Sequence, residues 1–168
     1  NKEFRKGNIF TLRTAIDYLD EDTLIMNVDH VYNPVIFTIL KNNIKGITAI
    51  VDSDRNLHDD DMKVKLNEWG NITSISKQLS DFDKGYIGMT MISKELVDTY
   101  KAAIDKVIDK YGEKTNIETI LQYLADEKLN ARTLDVSMFK WLEIDTQEEL
   151  EVAQKAVNSM PERFPYFA

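Results

Sequence analysis

Apolar residues recur at two different spacings in the first third of the chain. From Gly7 to Leu19 they follow a helical period, which predicts one amphipathic helix. Segment 23–28 is short and mostly apolar, as is typical of a buried strand, and segment 47–51 repeats that pattern. Between these strands, Asn33-Pro34 precedes a helix that ends at Gly46, because proline is favoured in a first helical turn. The pattern therefore predicts the order helix, strand, helix, strand.

The middle of the chain changes to strict alternation of apolar and polar residues. Segments 62–66 and 72–76 alternate on either side of the turn signal Gly70-Asn71, which predicts an antiparallel hairpin. Segment 86–92 follows as a further strand. Helical spacing then returns between Ser93 and Gly112, where serine is a favoured first residue and glycine a favoured stop.

The last third contains two sequence signals for the start of a helix. Thr115 with Glu118, and Thr146 with Glu149, both have the spacing of a capping box, so each predicts a helix beginning there. Between these helices, segment 132–136 is predicted to be a strand. The complete order predicts an α/β domain with a mixed sheet flanked by helices, its parallel strands early and its antiparallel strands late.

Composition and charge narrow the classes of function. The 168 residues carry a net charge of -8 and include no cysteine, which excludes disulfide scaffolds, thiol nucleophiles and cysteine-bound metal. With no basic patch to neutralise phosphates, no nucleic-acid partner is expected. No apolar run approaches the roughly 20 residues of a membrane span, and no secretory signal is visible, so we predict a cytoplasmic location.

Two groups of carboxylates are candidates for chemistry. Asp29 follows a predicted buried strand, where α/β sheets place ligands and where Mg²⁺ finds carboxylates and substrate phosphates; alternatively, Asp29 caps the next helix. Glu143 and Asp145 are two residues apart, so on a strand they face the same side and suit a cation. The alternative is that Asp145 or Thr146 only caps the last helix.

Other candidates give weaker signals. Lys77 follows a hairpin strand, where it either binds a phosphate or is simply solvated. Asp52-Ser53-Asp54 is a D-x-D pattern of the kind with which metal-dependent glycosyltransferases hold a diphosphate. His30 adjoins Asp29 and either shapes a site or is a half-buried structural residue. With six glycines in all, the chain contains no glycine-rich phosphate loop, and no serine has the setting of a nucleophile.

Several segments together resemble small cytidylyltransferases of the nucleotidyltransferase superfamily. Their order and spacing cover nearly the whole chain, and the closing W-x-E-I-D-T signature is the most specific. The segments are 6–12 (KGNIFTL), 24–30 (LIMNVDH), 61–64 with 75–77 (DMKV and ISK), 84–89 (KGYIGM) and 141–150 (WLEIDTQEEL).

The resemblance implies a Rossmann-like nucleotidyltransferase (nucleotide-diphospho-sugar transferase) fold and the residue roles of that family. Members join a nucleoside triphosphate, often CTP, to a phosphorylated alcohol or sugar and release pyrophosphate. By this likeness Asp29 and Asp145 would bind Mg²⁺ with help from Glu143, and Lys77 would contact the acceptor phosphate. By the same likeness, Asn8 and Gly88 would lie at the nucleotide or acceptor pocket. A homodimer is a further expectation.

The chain departs from the family at its beginning. Such enzymes open with a strand and a loop of the form G-x-G-x-R, followed by Pro-Lys, whose backbone N–H groups wrap the triphosphate. Because neither is present and the chain begins with Asn1, we expect residues 1–168 to be the C-terminal two-thirds of one nucleotidyltransferase domain, lacking its first strands and inactive alone. The alternatives are a glycosyltransferase that uses Asp52 and Asp54, and a truncated, non-catalytic binding domain.

Overall fold

The longest strand of the molecule lies at the centre of a six-stranded mixed sheet. The computed structural model describes residues 1–164. The strands are β1 (Thr23–Met26), β2 (His30–Tyr32), β3 (Ile47–Asp52), β4 (Lys63–Leu66), β5 (Ile72–Ser76), β6 (Lys84–Ile92), β7 (Ala131–Asp135) and β8 (Trp141–Glu143). The α-helices are α1 (Ile9–Thr14), α2 (Val35–Asn42), α3 (Val97–Tyr111), α4 (Glu118–Asp126) and α5 (Gln147–Ser159), with short 3-10 turns at Ile16–Tyr18 and Lys94–Leu96.

Strand β6 pairs along both of its edges. Strand β3 runs beside nearly its whole length, while β4 and β1 lie end to end along the opposite edge. The strand order is β5-β4-β6-β3-β7, with β1 beside β6. Eight of the nine residues of β6 are buried, because helices cover both faces of the sheet there.

The early strands β1 and β3 run in the same direction, as predicted, but they are not neighbours in the sheet. Strands β1 and β3 do not pair as parallel neighbours; each pairs antiparallel with β6, which lies between them. Within residues 1–164, β3 and the late strand β7 form the one parallel pair. Strand β1 is also only partly buried, because β6 is its sole partner among the described strands. The carboxyl end of β1 nevertheless holds Asp29, as the sequence predicts.

The first helix is shorter than its hydrophobic period predicts. At Ala15 the backbone leaves the helical region (φ -101°, ψ 7°), and the 3-10 turn follows. This break returns Leu19 to the core and leaves Tyr18 exposed. The packing of Leu19, a tertiary contact, therefore overrides the local helical spacing.

Two hydrophobic clusters hold the layers together. On one face of the sheet, helices α1, α3 and α4 bury residues such as Ile104 and Leu121. On the other face, α2 packs Ile36 against Ile50 and Met89 of the sheet. None of the described helices is both long enough and apolar enough to cross a bilayer.

A small second sheet, which the sequence only half predicts, completes the fold. Strand β8 includes Glu143, which the interpretation of the carboxylate pair places on a strand, but no pattern predicted its partner β2. The two pair antiparallel, with His30 opposite Glu143 and Tyr32 opposite Trp141. This pairing brings the end of β1 to the start of α5.

Candidate active site

A cavity of about 320 Å³ opens at the carboxyl end of β1. Its walls come from the start of α1, the loops after β1 and β3, the end of β5, the start of α4 and the segment after β8. The six residues that the sequence singled out for the site all line it: Asn8, Asp29, Lys77, Gly88, Glu143 and Asp145. The volume lies at the lower end of the roughly 300–1,000 Å³ that small-molecule pockets span.

His30 holds the carboxylate of Asp29. Its Nδ1 atom lies 2.6 Å from Asp29 Oδ1, and the imidazole is 4% exposed whereas the carboxylate is 44% exposed. The ring stacks on Trp141 at 5.1 Å with an interplanar angle of 6°, and on Tyr32 at 5.5 Å. His30 is therefore a buried residue that orients a site carboxylate, so both of its sequence-based interpretations hold.

Asp29 does not cap the following helix. The side chain of Asn33 takes that part, because its Oδ1 accepts a hydrogen bond from the N–H of Val35 at 3.0 Å. The carboxylate of Asp29 thus keeps an open side toward the cavity. This removes the structural alternative that the sequence left open.

Glu143 lies between positive and negative neighbours. Its carboxylate is 3.9 Å from His30 Nε2 and 3.7 Å from a guanidinium nitrogen of Arg55. Burial raises the pKa of Glu143; His30 and Arg55 act against that rise, while Asp145 and Asp61 add to it. Burial and the neighbouring carboxylates therefore disfavour the charged form of Glu143, and a nearby cation would offset that effect.

Thr146 and Glu149 cap the last helix and leave the carboxylate of Asp145 free of that task. The Thr146 hydroxyl accepts from the N–H of Glu149, and Glu149 Oε2 accepts from the N–H groups of Asp145 and Thr146 at 2.8 and 2.9 Å. These hydrogen bonds form the capping box that the sequence predicts. The Asp145 side chain lines the cavity.

A buried lysine holds the segment that carries Lys77. The Nζ atom of Lys63 donates to the carbonyl of Lys77 at 2.9 Å and to that of His58 at 2.6 Å. Lys63 is 5% exposed, so its ammonium is satisfied by carbonyls rather than by water. No local pattern indicated this role, because a lysine in an alternating strand normally faces solvent.

Asn8 and Gly88 shape the cavity through the backbone. Asn8 Oδ1 accepts from the N–H of Ile117 at 2.8 Å, which ties the start of α1 to the start of α4. Gly88 has φ +75°, and a Cβ there would lie 2.9 Å from Asn27 Nδ2. Glycine is required at this position both by its left-handed backbone and by the close approach of Asn27.

The D-x-D pattern is part of the framework. Both carboxylate oxygens of Asp52 are occupied: Oδ1 accepts from the N–H groups of Asp54 and Arg55, and Oδ2 accepts from Trp141 Nε1 at 2.9 Å. Asp54 pairs with Lys140 at 2.9 Å. Neither carboxylate lines the cavity, so the geometry speaks against a diphosphate-binding role for this pair.

Sequence reasoning missed two charged residues of the site. The guanidinium of Arg55 lies 4.7 Å above the Trp141 ring and pairs with Asp61 at 3.2 Å. Glu118 was interpreted as the capping-box partner of Thr115, which is wrong: the hydroxyl of Thr115 donates to the carbonyl of Gly112 instead. Asn8 accepts from the N–H of Ile117 just before α4, and Glu118 lines the cavity as the first residue of that helix.

The predicted magnesium ligands do not form a complete metal site by themselves. Within residues 1–164, no three histidine or carboxylate side chains lie close enough together to hold a metal by themselves. The ring of His30 separates Asp29 from Glu143. Mg²⁺, however, usually takes only one or two protein carboxylates and completes its shell with water and substrate phosphates. As oxygen donors on one cavity, Asp29 and Asp145 fit such an ion.

Solved structures share this fold, although the comparisons by sequence found no match. The chain matches the sequence profile of no known protein family and no curated protein. An inositol-1-phosphate CTP transferase from T. maritima superposes with a TM-score of 0.74 at 19% identity, over 96% of this chain and 65% of that one. A CTP:phosphocholine cytidylyltransferase from Streptococcus pneumoniae gives 0.68 at 14% identity, over 94% and 67%.

A third neighbour is a candidate glucose-1-phosphate thymidylyltransferase from Bacillus anthracis. It gives a TM-score of 0.63 at 11% identity, over 90% of this chain and 61% of that one. The chain therefore has the Rossmann-like nucleotidyltransferase fold, which confirms the fold expected from the sequence. It spans about two thirds of the length of these structures.

Proposed function

We propose that the protein carrying this chain transfers a nucleotidyl group, with CTP the favoured donor, to a phosphorylated small molecule and releases pyrophosphate. One observation carries the proposal: the six residues assigned through the family resemblance, which are scattered from Asn8 to Asp145, line one cavity of the nucleotidyltransferase fold. The names of the neighbouring structures, which are cytidylyl and thymidylyl transferases, support the same class of reaction.

The reaction needs positioning and charge neutralisation rather than a covalent nucleophile. An oxygen of the acceptor phosphate attacks the α-phosphorus in line, a new P–O bond forms, and the bond to the departing pyrophosphate breaks. The ammonium of Lys77 holds the acceptor phosphate as a point charge at the cavity wall. This scheme agrees with a chain that contains no cysteine and no serine in a nucleophile setting.

Asp29 and Asp145 are the proposed magnesium ligands, with Glu143 as a third carboxylate beside them. A bound Mg²⁺ neutralises charge on the phosphates and orients them. His30 holds the Asp29 carboxylate in place at 2.6 Å for that purpose. In a chain with a net charge of -8, a bound cation also offsets the repulsion of anionic substrates.

We further propose that residues 1–168 have no transfer activity by themselves. The triphosphate has no glycine-rich cradle in this sequence, so the groups that wrap it would lie outside the chain. Pyrophosphate release by the isolated chain, at the rate of the full natural protein, would contradict this. The cytoplasmic location and the homodimer stay predictions.

The assay is pyrophosphate release by the full natural protein with Mg²⁺, a panel of triphosphates and a panel of phosphorylated acceptors. Replacing Asp29 or Asp145 by alanine is expected to lower kcat/KM on the order of 100-fold or more, because each loses a proposed ligand of the ion. Asp54→Ala is the matched control, since this aspartate pairs with Lys140 outside the cavity. Its activity should stay within about twofold of the parent.

Two results would overturn the proposal. One is the absence of pyrophosphate release with every donor and acceptor pair. The other is full turnover in both Asp29→Ala and Asp145→Ala. Loss of activity in Asp54→Ala alone would instead favour the glycosyltransferase alternative.

A further inference from the structure

Glu118 faces the cavity without a partner that explains its position. It is the first residue of α4, partly buried, and no other described side chain forms a hydrogen bond or ion pair with its carboxylate. Burial raises the pKa of Glu118, while its own backbone N–H and the charge of Lys77 oppose the rise. Its carboxylate accepts a hydrogen bond from its own backbone N–H and keeps further acceptor sites for donors of a ligand.

The charge of Glu118 determines which part of an acceptor it meets. A carboxylate repels a phosphate. Of the two lysine or arginine residues that line the cavity in the described part of the chain, Arg55 is paired with Asp61 and Glu143. Lys77 is therefore the one that suits a phosphate. Glu118 must therefore face the part of the acceptor that carries hydrogen-bond donors. Hydroxyl groups and ammonium groups are the two chemical possibilities.

The neighbouring side chains favour hydroxyl groups. Asn8, Asn27 and Asn116 line the cavity with Glu118, and amides both donate and accept, as a ring or chain of hydroxyls requires. The oxygen of Asn8 is taken by the N–H of Ile117, so its amino group remains as a donor. Polar groups placed in a small cavity fix the orientation of its ligand, and this set of carboxyl and amide groups can both accept from and donate to hydroxyls.

A quaternary ammonium group finds no suitable wall in the described part of the chain. Recognition of such a group relies on open aromatic faces. Of the two aromatic residues that line the cavity, Trp141 is stacked on His30 and covered by Arg55, and Tyr86 is 8% exposed with its hydroxyl bonded to Thr90.

Building on the proposed function, we propose that the acceptor is a hydroxyl-rich phosphate monoester, a phosphorylated polyol or sugar, and that Glu118 determines this specificity by accepting hydrogen bonds from the acceptor hydroxyls. The carboxylate and the three amides then bind the hydroxyl-bearing part, while Lys77 binds the phosphate. An acceptor without hydroxyls binds less tightly, because it displaces water from the Glu118 carboxylate and donates no hydrogen bond in return.

The test measures binding separately from turnover, with the full natural protein. Calorimetry with inositol 1-phosphate, glucose 1-phosphate, phosphoethanolamine and phosphocholine is expected to give at least one of the two hydroxyl-rich phosphates a Kd about 10-fold or more below those of the other two. Glu118→Ala should weaken that acceptor by roughly 10- to 100-fold, and Glu118→Gln by less, because a neutral acceptor oxygen makes a weaker hydrogen bond. The Kd of phosphocholine should stay unchanged or fall, because the substitution removes a negative charge near Lys77.

Glu127→Ala is the matched control, an exposed glutamate at the far end of the same helix. It should leave all four dissociation constants unchanged, and circular dichroism checks that each variant keeps its helices. If phosphocholine binds as tightly as the hydroxyl-rich phosphates, the specificity inference is wrong. The same holds if Glu118→Ala shifts all four acceptors by one factor, or if phosphoethanolamine binds best and depends on Glu118.

Turnover distinguishes this inference from the proposed function. Selective, Glu118-dependent binding without nucleotidyl transfer under any condition would overturn the proposed function and leave the binding specificity standing. Transfer that proceeds best onto phosphocholine, and is unchanged in Glu118→Ala, would support the proposed function and overturn the inference.

Discussion

Replacing Asp52 by alanine should destabilise the domain far more than replacing Asp54, although the two belong to one short acidic pattern. Asp52 is 5% exposed, and its carboxylate accepts three hydrogen bonds, from the N–H groups of Asp54 and Arg55 and from Trp141 Nε1. Leaving the Trp141 indole N–H without an acceptor costs about 1–3 kcal/mol. The two backbone donors lie in an exposed loop and can turn to water, so each lost hydrogen bond adds only about 0.5 kcal/mol and the sum is about 2–4 kcal/mol.

The measurement is urea unfolding followed by tryptophan fluorescence and circular dichroism. Asp52→Asn should lower the free energy of unfolding slightly less than Asp52→Ala. The amide keeps one acceptor oxygen, but its amino group then faces a hydrogen-bond donor. Asp54→Ala should cost below about 1 kcal/mol, since its ion pair with Lys140 is 44% and 43% exposed. Equal loss of stability in Asp52→Ala and Asp54→Ala would refute the assignment of Asp52 as an anchor of the loop and of Trp141.

Three other predictions concern stability and shape around the site. Lys63→Met should lower the free energy of unfolding by about 1–3 kcal/mol and weaken phosphate binding, because it frees carbonyls of two site segments; urea unfolding and calorimetry measure this. Burial raises the pKa of Asp135, but the ammonium of Lys84 and serine hydroxyls outweigh it and hold that pKa at about 2, below the ordinary 3.8. Its stabilisation is therefore present above pH 3.8 and lost as the pH falls through about 2, and Asp135→Asn should remove that part of acid unfolding. Gly88→Ala should cost about 1–3 kcal/mol and displace Asn27 in the cavity, which amide NMR shifts would report.

Each of these predictions has a matched comparison. Lys65→Met alters the neighbouring strand lysine, whose partners are exposed aspartates, and should cost under about 1 kcal/mol. An acid-unfolding curve that is identical in the parent and in Asp135→Asn would contradict the pKa assignment. Gly70→Ala carries a similar backbone strain, φ +76°, with nothing within 4 Å of the added Cβ. If Gly70→Ala lowers the free energy of unfolding as much as Gly88→Ala does, the contact with Asn27 contributes nothing to the destabilisation of Gly88→Ala.

Local signals in the sequence predicted those features that depend on neighbours along the chain. The capping box of Thr146 and Glu149 forms as expected, because both of its hydrogen bonds join residues within one helical turn. The same pattern at Thr115 and Glu118 failed: the Thr115 hydroxyl donates to the carbonyl of Gly112, and Asn8, which is distant in sequence, accepts from the N–H of Ile117 beside the start of α4. Local spacing therefore indicates which hydrogen bonds a residue is able to form, and tertiary contacts determine whether it forms them.

The sequence analysis identified carboxylates that line the candidate site, but not the residues that hold them in position. Asp29 and Asp145 stand out because they follow apolar strand-like segments, a pattern visible in one sequence. The stacking of His30 on Trp141 depends on the pairing of β2 with β8, which no local period encodes. The burial of Lys63 and the framework role of Asp52 likewise depend on which loops lie above them.

The sequence by itself determined the type of most elements, the positions of the site carboxylates and, through the family resemblance, the fold. Helices and strands have different hydrophobic periods, so one chain is enough to tell them apart. Tertiary structure alone decided that β6 separates β1 from β3, that His30 orients Asp29 and that Glu118 faces the cavity. These contacts join segments far apart in the chain, and they are selected by the packing of the whole domain rather than by the preference of any one segment.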